Sequence, residues 1–400
     1  MKNSFTLRRV DQSNERWNTF IAFSLLPISG LATDIYIPSL PDMALRLNVS
    51  PSAIQLTLPF FIISYGITQF LIGGLIDRYG RYLPCLFSLF LFSMASLCIA
   101  YSDHIYFIYA MRIIQGIASG VITVSKRAYF VDLFSGTRLK KYTSMFSVVW
   151  ALAPIVAPFL GGFFQTRWGW ESNFIFLGGY GFLIFVIELI SGGETMKEAQ
   201  AFRLSDMFHS YKKMIGTPDF TASLLIIGLL YAILLVYGMA SPFLIESQLG
   251  YPPTFTGYCA LLSGVCVFSG GLLSRIFIQK PLYKKVFLVN SIALAFLALL
   301  IPLSWYYANI FTLLLYVILL HICSGFIFNN FLSYGLTRFP EYAGKSAGLL
   351  GGGFSIITAI VSSIFVNTLT VESQPMLGTA YAALFVGTLG LIFSVKWKNN

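Results

Sequence analysis

Twelve stretches of mainly apolar residues dominate this chain: 17–41, 53–76, 83–101, 106–130, 143–165, 173–192, 217–244, 255–279, 284–304, 308–335, 343–368 and 376–395. A helix needs about 20 apolar residues to cross the hydrocarbon core of a bilayer. Lipid offers no partner to an open backbone, so each crossing segment must satisfy its own hydrogen bonds. Runs of this length specify helices rather than the short alternating strands of a barrel. Some, such as 308–335, are long enough to tilt or to extend past the bilayer. Only 10% of the residues are charged, against about 25% in a soluble domain. The expected fold class is an all-α membrane protein of 12 transmembrane helices.

The cations choose the sides. With the N-terminus inside, 23 of the 26 Lys and Arg fall on the cytoplasmic side, including Arg8, Arg9, Arg16, Arg78, Arg81, Lys126, Arg127 and Arg138, and also Lys2, Lys197, Arg203, Lys396 and Lys398. Arg46, Arg112 and Arg167 are the other three. That bias follows the positive-inside rule and would be scrambled by one missed helix. Both termini are therefore expected in the cytoplasm of a bacterium, with the chain in its inner membrane. The polar stretch from Ser191 to Gly216 follows the sixth run. It divides the chain into residues 1–192, a cytoplasmic loop 193–216, and residues 217–400. Gly-Gly-Leu-Ile-Asp-Arg after run 2 and Gly-Gly-Leu-Leu-Ser-Arg after run 8 form a faint repeat. Repeated halves around a central site are a transporter design.

Several function classes lack their residues. The net charge of +10 sits between apolar runs, which speaks against nucleic acid as a partner. The five cysteines lie inside the runs with no metal spacing and read as small buried hydrophobes. No metal site and no cofactor are expected. No phosphate-binding Gly-rich loop with Lys is present, so a proton gradient rather than ATP is the expected energy source. No catalytic constellation appears, and no enzyme is expected. No signal peptide precedes the first run, so that run is expected to be retained.

Four motifs carry chemistry. Gly73-Gly74-Leu75-Ile76-Asp77-Arg78-Tyr79-Gly80-Arg81 joins runs 2 and 3. Its glycines permit close helix ends, and its acid and arginines can bridge neighbouring helices. The plain alternative is an ordinary turn with inside-positive charge. In run 4, Arg112-Ile113-Ile114-Gln115-Gly116 places a guanidinium in the membrane. That costs roughly 3 kcal/mol or more unless the group meets a partner or a wet cavity; the alternative is an arginine reaching for the interface. Run 5 holds Pro154, Pro158, Gly161 and Gly162, which free carbonyls and allow tight crossing, or simply kink the helix. Run 1 holds Thr33-Asp34-Ile35-Tyr36-Ile37-Pro38-Ser39-Leu40-Pro41. A carboxyl group there is either a proton- or cation-binding group or a structural partner of a neighbouring helix.

These strings resemble the major facilitator superfamily. The Asp77 loop is similar to its signature between helices 2 and 3, with Tyr82 at the last basic position. The resemblance gives Gly73, Asp77, Arg78, Gly80 and Arg81 a gating role. The Arg112 string resembles the helix-4 motif tied to proton coupling. The run-5 string resembles the antiporter motif of exporting members, with Ala153 and Ala157 replacing two glycines. The Asp34 string resembles the bicyclomycin and chloramphenicol resistance group of drug:proton antiporters. The resemblance implies two pseudo-symmetric six-helix bundles that alternate in access.

Asp34 lies seven residues before Pro41, and Arg112 six after Tyr106. At about 1.5 Å per residue both sit roughly 9–11 Å from the outer face, within reach of one polar network. Asp34 and Arg112 are the expected proton-coupling pair. Candidate cavity residues are Asp34, Tyr36, Tyr65, Gln69, Gln115, Asn329 and Asn330. Asn329 and Asn330 either line a cavity or hold helices together. Glu188 is expected to reach the interface, and His321 to be a hydrogen-bonded packing residue.

The expected function is proton-coupled export of small organic molecules, possible for one chain alone. The alternatives are a dedicated exporter of one metabolite, such as a siderophore or sugar, and a proton symporter acting in uptake.

Overall fold

A computed structural model describes residues 8–10, 14–196, 204–369 and 371–395. The expected inside cations Lys2, Lys197, Arg203, Lys396 and Lys398 lie outside the described residues. Twelve long helices follow one another: α1 (Glu15–Arg46), α2 (Pro51–Tyr79), α3 (Tyr82–Ala100), α4 (Ile105–Leu133), α5 (Gly136–Trp168), α6 (Glu171–Ser191), α7 (Pro218–Gln248), α8 (Pro253–Ile276), α9 (Leu282–Tyr306), α10 (Ile310–Thr337), α11 (Ala343–Leu369) and α12 (Gln374–Ser394). A shorter connector helix, Leu204–Ile215, precedes α7. Among the described residues, eleven helices are long and apolar enough to cross a membrane. The twelfth expected crossing is α5, a 33-residue helix that absorbs Pro154 and Pro158.

The helices form two bundles of six with matching neighbours. In the first, α2 packs along α4 and α3 along α6; in the second, α8 packs along α10 and α9 along α12. The bundles meet where α2 lies on α11 and α5 on α8. Each seam thus joins the second helix of one half to the fifth of the other. Close approach needs small residues where no hydrophobic force separates helix from lipid. A Cβ at Gly116 would stand 2.4 Å from the Phe61 carbonyl, so Gly116 lets α4 touch α2. One buried core centres on Leu25, Phe61, Phe92 and Phe174, and another on Phe220, Val317, Phe331 and Phe385. Leu235, Met239, Ala359 and Val366 of the second half pack into the first core and glue the seam.

At one face of the bundle the N-terminal residues, the ends of α1 and α6, the start of α5 and the connector helix meet their partners. There Arg8 Nη1 donates to Ile190 O at 2.7 Å, Arg138 pairs with Glu15 at 2.7 Å, and Lys345 Nζ donates to Ser210 Oγ at 2.9 Å. Glu188, expected at the interface, and Lys126, counted among the cytoplasmic-side cations, are both buried. Lys126 belongs to the body of α4, and Glu188 is 2% exposed. They pair at 2.5 Å inside the first bundle. Each removes the need for the other to reach water, which is why neither does.

Candidate functional site

The first helix breaks where the chemistry sits. Pro38 has no N–H to give to the Asp34 carbonyl, four residues back. The α-helical segment Ile28–Asp34 ends there, and a 3-10 turn, Ile37–Ser39, follows. Asp34 is therefore a terminal residue of a helical segment in mid-bundle. Its Oδ2 is buried and accepts no hydrogen bond among the described residues.

Arg112 of α4 stands beside it, fully buried. Its Nη1 donates to Ala32 O at 2.9 Å and to Gln115 Oε1 at 2.8 Å, and its Nε to Thr57 O at 3.2 Å. The guanidinium also lies 4.8 Å from the Tyr36 ring centroid and 4.4 Å from that of Phe61. A charge-assisted donor set and two π faces offset the loss of water. The carbonyl of Ala32 is two residues from Asp34, so the two groups share one depth. They form no ion pair within 4.0 Å.

Asp34 opens on a cavity between the two bundles. Thr33, Asp34 and Ile37 of α1, Pro154 and Pro158 of α5, Tyr231, Leu234 and Tyr237 of α7, and Ser263 and Gly264 of α8 line it. It holds about 550 Å³ of empty space, part of it open to the outside. A second, almost wholly apolar chamber shares Pro154, Tyr231, Leu234 and Gly264 with the first and adds Phe268 and Phe328. Away from the face that holds the connector helix, the bundles close over the cavity. Gln55 Nε2 donates to Met239 O at 2.6 Å across the seam. A Cβ at Gly161 would lie 1.5 Å from Ile35 O, and one at Gly162 would lie 2.5 Å from Pro253 O. Adjacent glycines thus let α5 touch α1 on one side and α8 on the other.

At the connector-helix face, Arg81 gathers the loop between α2 and α3. It pairs with Asp77 at 2.8 Å and Asp132 at 3.2 Å, and its Nη1 donates to Ile76 O at 2.5 Å. The Glu194 carboxylate accepts from the backbone N–H groups of Arg81, Tyr82, Thr195 and Met196 at 2.8–3.1 Å. Gly80 has φ +100, and a Cβ there would stand 2.4 Å from Glu194 Oε2. Glycine is required twice over, by dihedral and by space.

The family model described as Major Facilitator Superfamily matches residues 22–362. The chain belongs to the Major Facilitator Superfamily. It is 27% identical over 397 residues to the uncharacterized MFS-type transporter YdgK of Bacillus subtilis, covering 96% of each chain. It is 26% identical to multidrug resistance protein D of Escherichia coli, covering 93% of each. It is 24% identical to the bicyclomycin resistance protein homolog of Haemophilus influenzae, covering 95% of this chain and 97% of that one. The multidrug and bicyclomycin resistance relatives are consistent with the drug:proton antiporter group that the Asp34 string resembles. The solved D-xylose-proton symporter shares the fold at TM-score 0.70 and 14% identity, covering 95% of this chain and 97% of its own. A bacterial homolog of the human lysosomal transporter Spinster, inward-facing and unoccupied, also aligns at TM-score 0.70, with 13% identity, 96% of this chain and 95% of its own. The superfamily is one of transporters, and membership makes this chain a multi-pass membrane protein.

Against the superfamily motifs, the structure brings Asp34, Arg112, Pro154 and Pro158 to one place and corrects several other readings. Of the candidate cavity residues only Asp34 lines a wall. Tyr36 is fully buried behind it, tilted against Phe174 and hydrogen-bonded to Thr57 at 2.8 Å. Gln115 is fully buried between Arg112 and Ser96. Tyr65 stacks on Phe61 within α2. Gln69 accepts from Arg127 at 3.3 Å beside α11. Asn329 bonds Ser274 and Gly271 O of α8 and so joins two helices, whereas Asn330 is spent on Phe326 O, four residues back in its own helix. In the loop, a Cβ at Gly73 would meet nothing within 4 Å, because α11 approaches α2 at Gly66 instead. Arg78 is exposed over Tyr79 and takes no part in the Arg81 cluster. The sequence reading missed Tyr231, Tyr237, Ser263 and Glu194. Neutral hydroxyls within apolar runs carry no signal of their own, and Glu194 looked like one more linker charge.

Proposed function

We propose that this chain exports small organic molecules in exchange for protons, by rocking of residues 1–192 against 217–400 about the linker 193–216. One observation carries the reading: a buried carboxylate oxygen without a partner, on Asp34, lines a cavity between two bundles that must part for transport. Taking a proton removes the charge there and changes what the cavity holds. Arg112 keeps its own bonds and stays charged beside it, so Asp34 is left to exchange proton for ligand. Ligand and proton then bias the same two-state equilibrium in opposite directions, the condition for coupled exchange. The names of the relatives support multidrug export as the direction and range.

The further parts of the reading are these. The chain sits in a bacterial inner membrane with both termini cytoplasmic, as the Lys and Arg distribution supports. The proton gradient supplies the energy, no cofactor is used, and one chain suffices because its two bundles enclose the whole cavity. The Asp77, Gly80 and Arg81 cluster gates the cytoplasmic side.

The test is drug-driven proton movement in inverted membrane vesicles, for wild-type protein and Asp34→Asn. Wild type should exchange protons for chloramphenicol or a lipophilic cation, and D34N should not, while remaining in the membrane at normal level. Undiminished exchange by D34N overturns the reading, and uptake driven in the opposite sense makes the protein a symporter.

A further inference from the structure

His321 of α10 is fully buried, yet it is tied to the cavity. Its Nδ1 lies 2.8 Å from Ser263 Oγ, and Ser263 lines the chamber that Asp34 faces. Its Nε2 lies 3.0 Å from the hydroxyl of Tyr381, which is also fully buried. Tyr237, another cavity residue, meets the imidazole edge-on with ring centroids 5.2 Å apart.

Counting hydrogens fixes the direction of this chain. No carboxylate hydrogen-bonds the ring among the described residues, and a buried imidazolium without one is costly, so the ring is neutral. A neutral imidazole carries one N–H and one bare nitrogen. Two hydroxyls, Ser263 and Tyr381, therefore compete for a single acceptor. Tyr381 has no other hydrogen-bond partner among the described residues and is sealed in the second core. Its O–H would be orphaned unless Nε2 accepts it, at a cost of about 1–3 kcal/mol. Ser263 borders open space, where a ligand or water can take its hydrogen. Tyr381 thus donates to Nε2, Nδ1–H donates to Ser263 Oγ, and the Ser263 hydrogen is left to point into the cavity.

We propose that the Tyr381–His321–Ser263 chain fixes the C-terminal wall of the cavity as a hydrogen-bond donor, selecting ligands that carry a neutral acceptor such as a carbonyl, ether or hydroxyl oxygen. Tyr237, buried on the same wall beside Ser241, adds a second hydroxyl to it. Asp34 supplies the opposite polarity from the N-terminal wall. A ligand that fits both is an apolar body with an acceptor on one side and a donor or cation on the other. Ser263 touches the ligand; His321 and Tyr381 are positioning residues. This rests on the cavity being the transport site.

Purified protein carrying 15N-histidine tests the polarity without any ligand. The sequence holds three histidines, and the signals lost in His321→Gln assign this one. A protonated Nδ1 and a bare Nε2 support the chain; the reverse tautomer overturns it. Binding then reads the consequence. Ser263→Ala should weaken chloramphenicol, which offers acceptors, roughly 3- to 10-fold, the worth of one neutral hydrogen bond. Tetraphenylphosphonium, which offers none, should change by less than about 2-fold. Tyr381→Phe frees the ring to accept from Ser263, so it should weaken chloramphenicol alone although it lines no wall. Equal losses for both compounds in these variants overturn the proposal. Wild-type protein that binds neither compound defeats the transport-site reading, while the ring spectrum still decides the sign of the wall.

Discussion

Arg112 spends its Nη1 and Nε on the carbonyls of Ala32 and Thr57 and on Gln115, its Nη2 is buried without a hydrogen-bond partner among the described residues, and no bond reaches Asp34, its neighbour at the same depth. The acid is thus left chemically available, and the base is structural. Opposite outcomes follow for the two residues. Arg112→Lys removes the fork that reaches these acceptors at once, and should cost about 1–3 kcal/mol for those left unpaired. Asp34→Asn leaves the bonds of Arg112 to Ala32, Thr57 and Gln115 intact and should unfold at the wild-type temperature or above. Thermal unfolding in detergent compares the two, and equal unfolding temperatures for wild type and R112K would count against this division of roles.

The Lys126–Glu188 pair gives the sharpest stability test. Both side chains are nearly inaccessible, at 6% and 3%, and the bond is 2.5 Å. Removing one partner strands a buried charge at about 3–5 kcal/mol, whereas replacing both with apolar residues of similar volume is often neutral. Glu188→Gln and Lys126→Met should each lower the unfolding temperature strongly, and Lys126→Met with Glu188→Met should restore most of it. A double variant as unstable as the sum of the singles would show that the pair is not the cause.

Glu188 also shows where sequence reasoning stopped. Helix count and the two halves were legible because lipid leaves the backbone so few options, and Asp34 and Arg112 stood out because they are expensive in apolar runs, whereas Gly73 and Arg78 of the loop motif take no part in the Arg81 cluster. Glu188 was misread because distance along the helix says nothing of what lies across it; Lys126 comes from another helix, 62 residues away. The cavity walls were illegible for the same reason. Tyr231, Tyr237 and Ser263 are ordinary residues of apolar helices until α7 and α8 are brought against Asp34, while Tyr36 and Gln115 carry polar atoms that are consumed inside the first bundle.

Glycines of one helix-rich half should differ widely in tolerance. Gly161→Ala puts a Cβ 1.5 Å from Ile35 O, a backbone atom at the break in α1 that cannot step aside cheaply. Gly179 of α6 has nothing within 4 Å. Gly161→Ala should displace α1 and impair both stability and transport, while Gly179→Ala should gain slightly from helix propensity, by up to about 1 kcal/mol. Expression level and unfolding temperature read the difference, and a G161A protein equal to G179A would contradict the close α1–α5 crossing.

Glu194 should control the loop that carries Asp77 and Arg81. Its carboxylate caps the N-terminus of α3 through Arg81 and Tyr82 and holds Thr195 and Met196 in the same grip. A hydrogen bond to a charged group contributes about 1.5–3 kcal/mol, and 1.4 kcal/mol is a factor of ten. Glu194→Ala should therefore speed amide hydrogen exchange at Arg81 and Tyr82 by roughly ten-fold or more, with less change in the middle of α3. Glu194→Gln keeps one acceptor oxygen and should fall between. Gly80→Ala strains the same joint from the other side, since its φ of +100 and the 2.4 Å approach to Glu194 Oε2 both exclude a side chain. If the loop amides exchange at the wild-type rate in E194A, the clamp is not Glu194, and the order of the loop must come from the Arg81 side chain and its two aspartates.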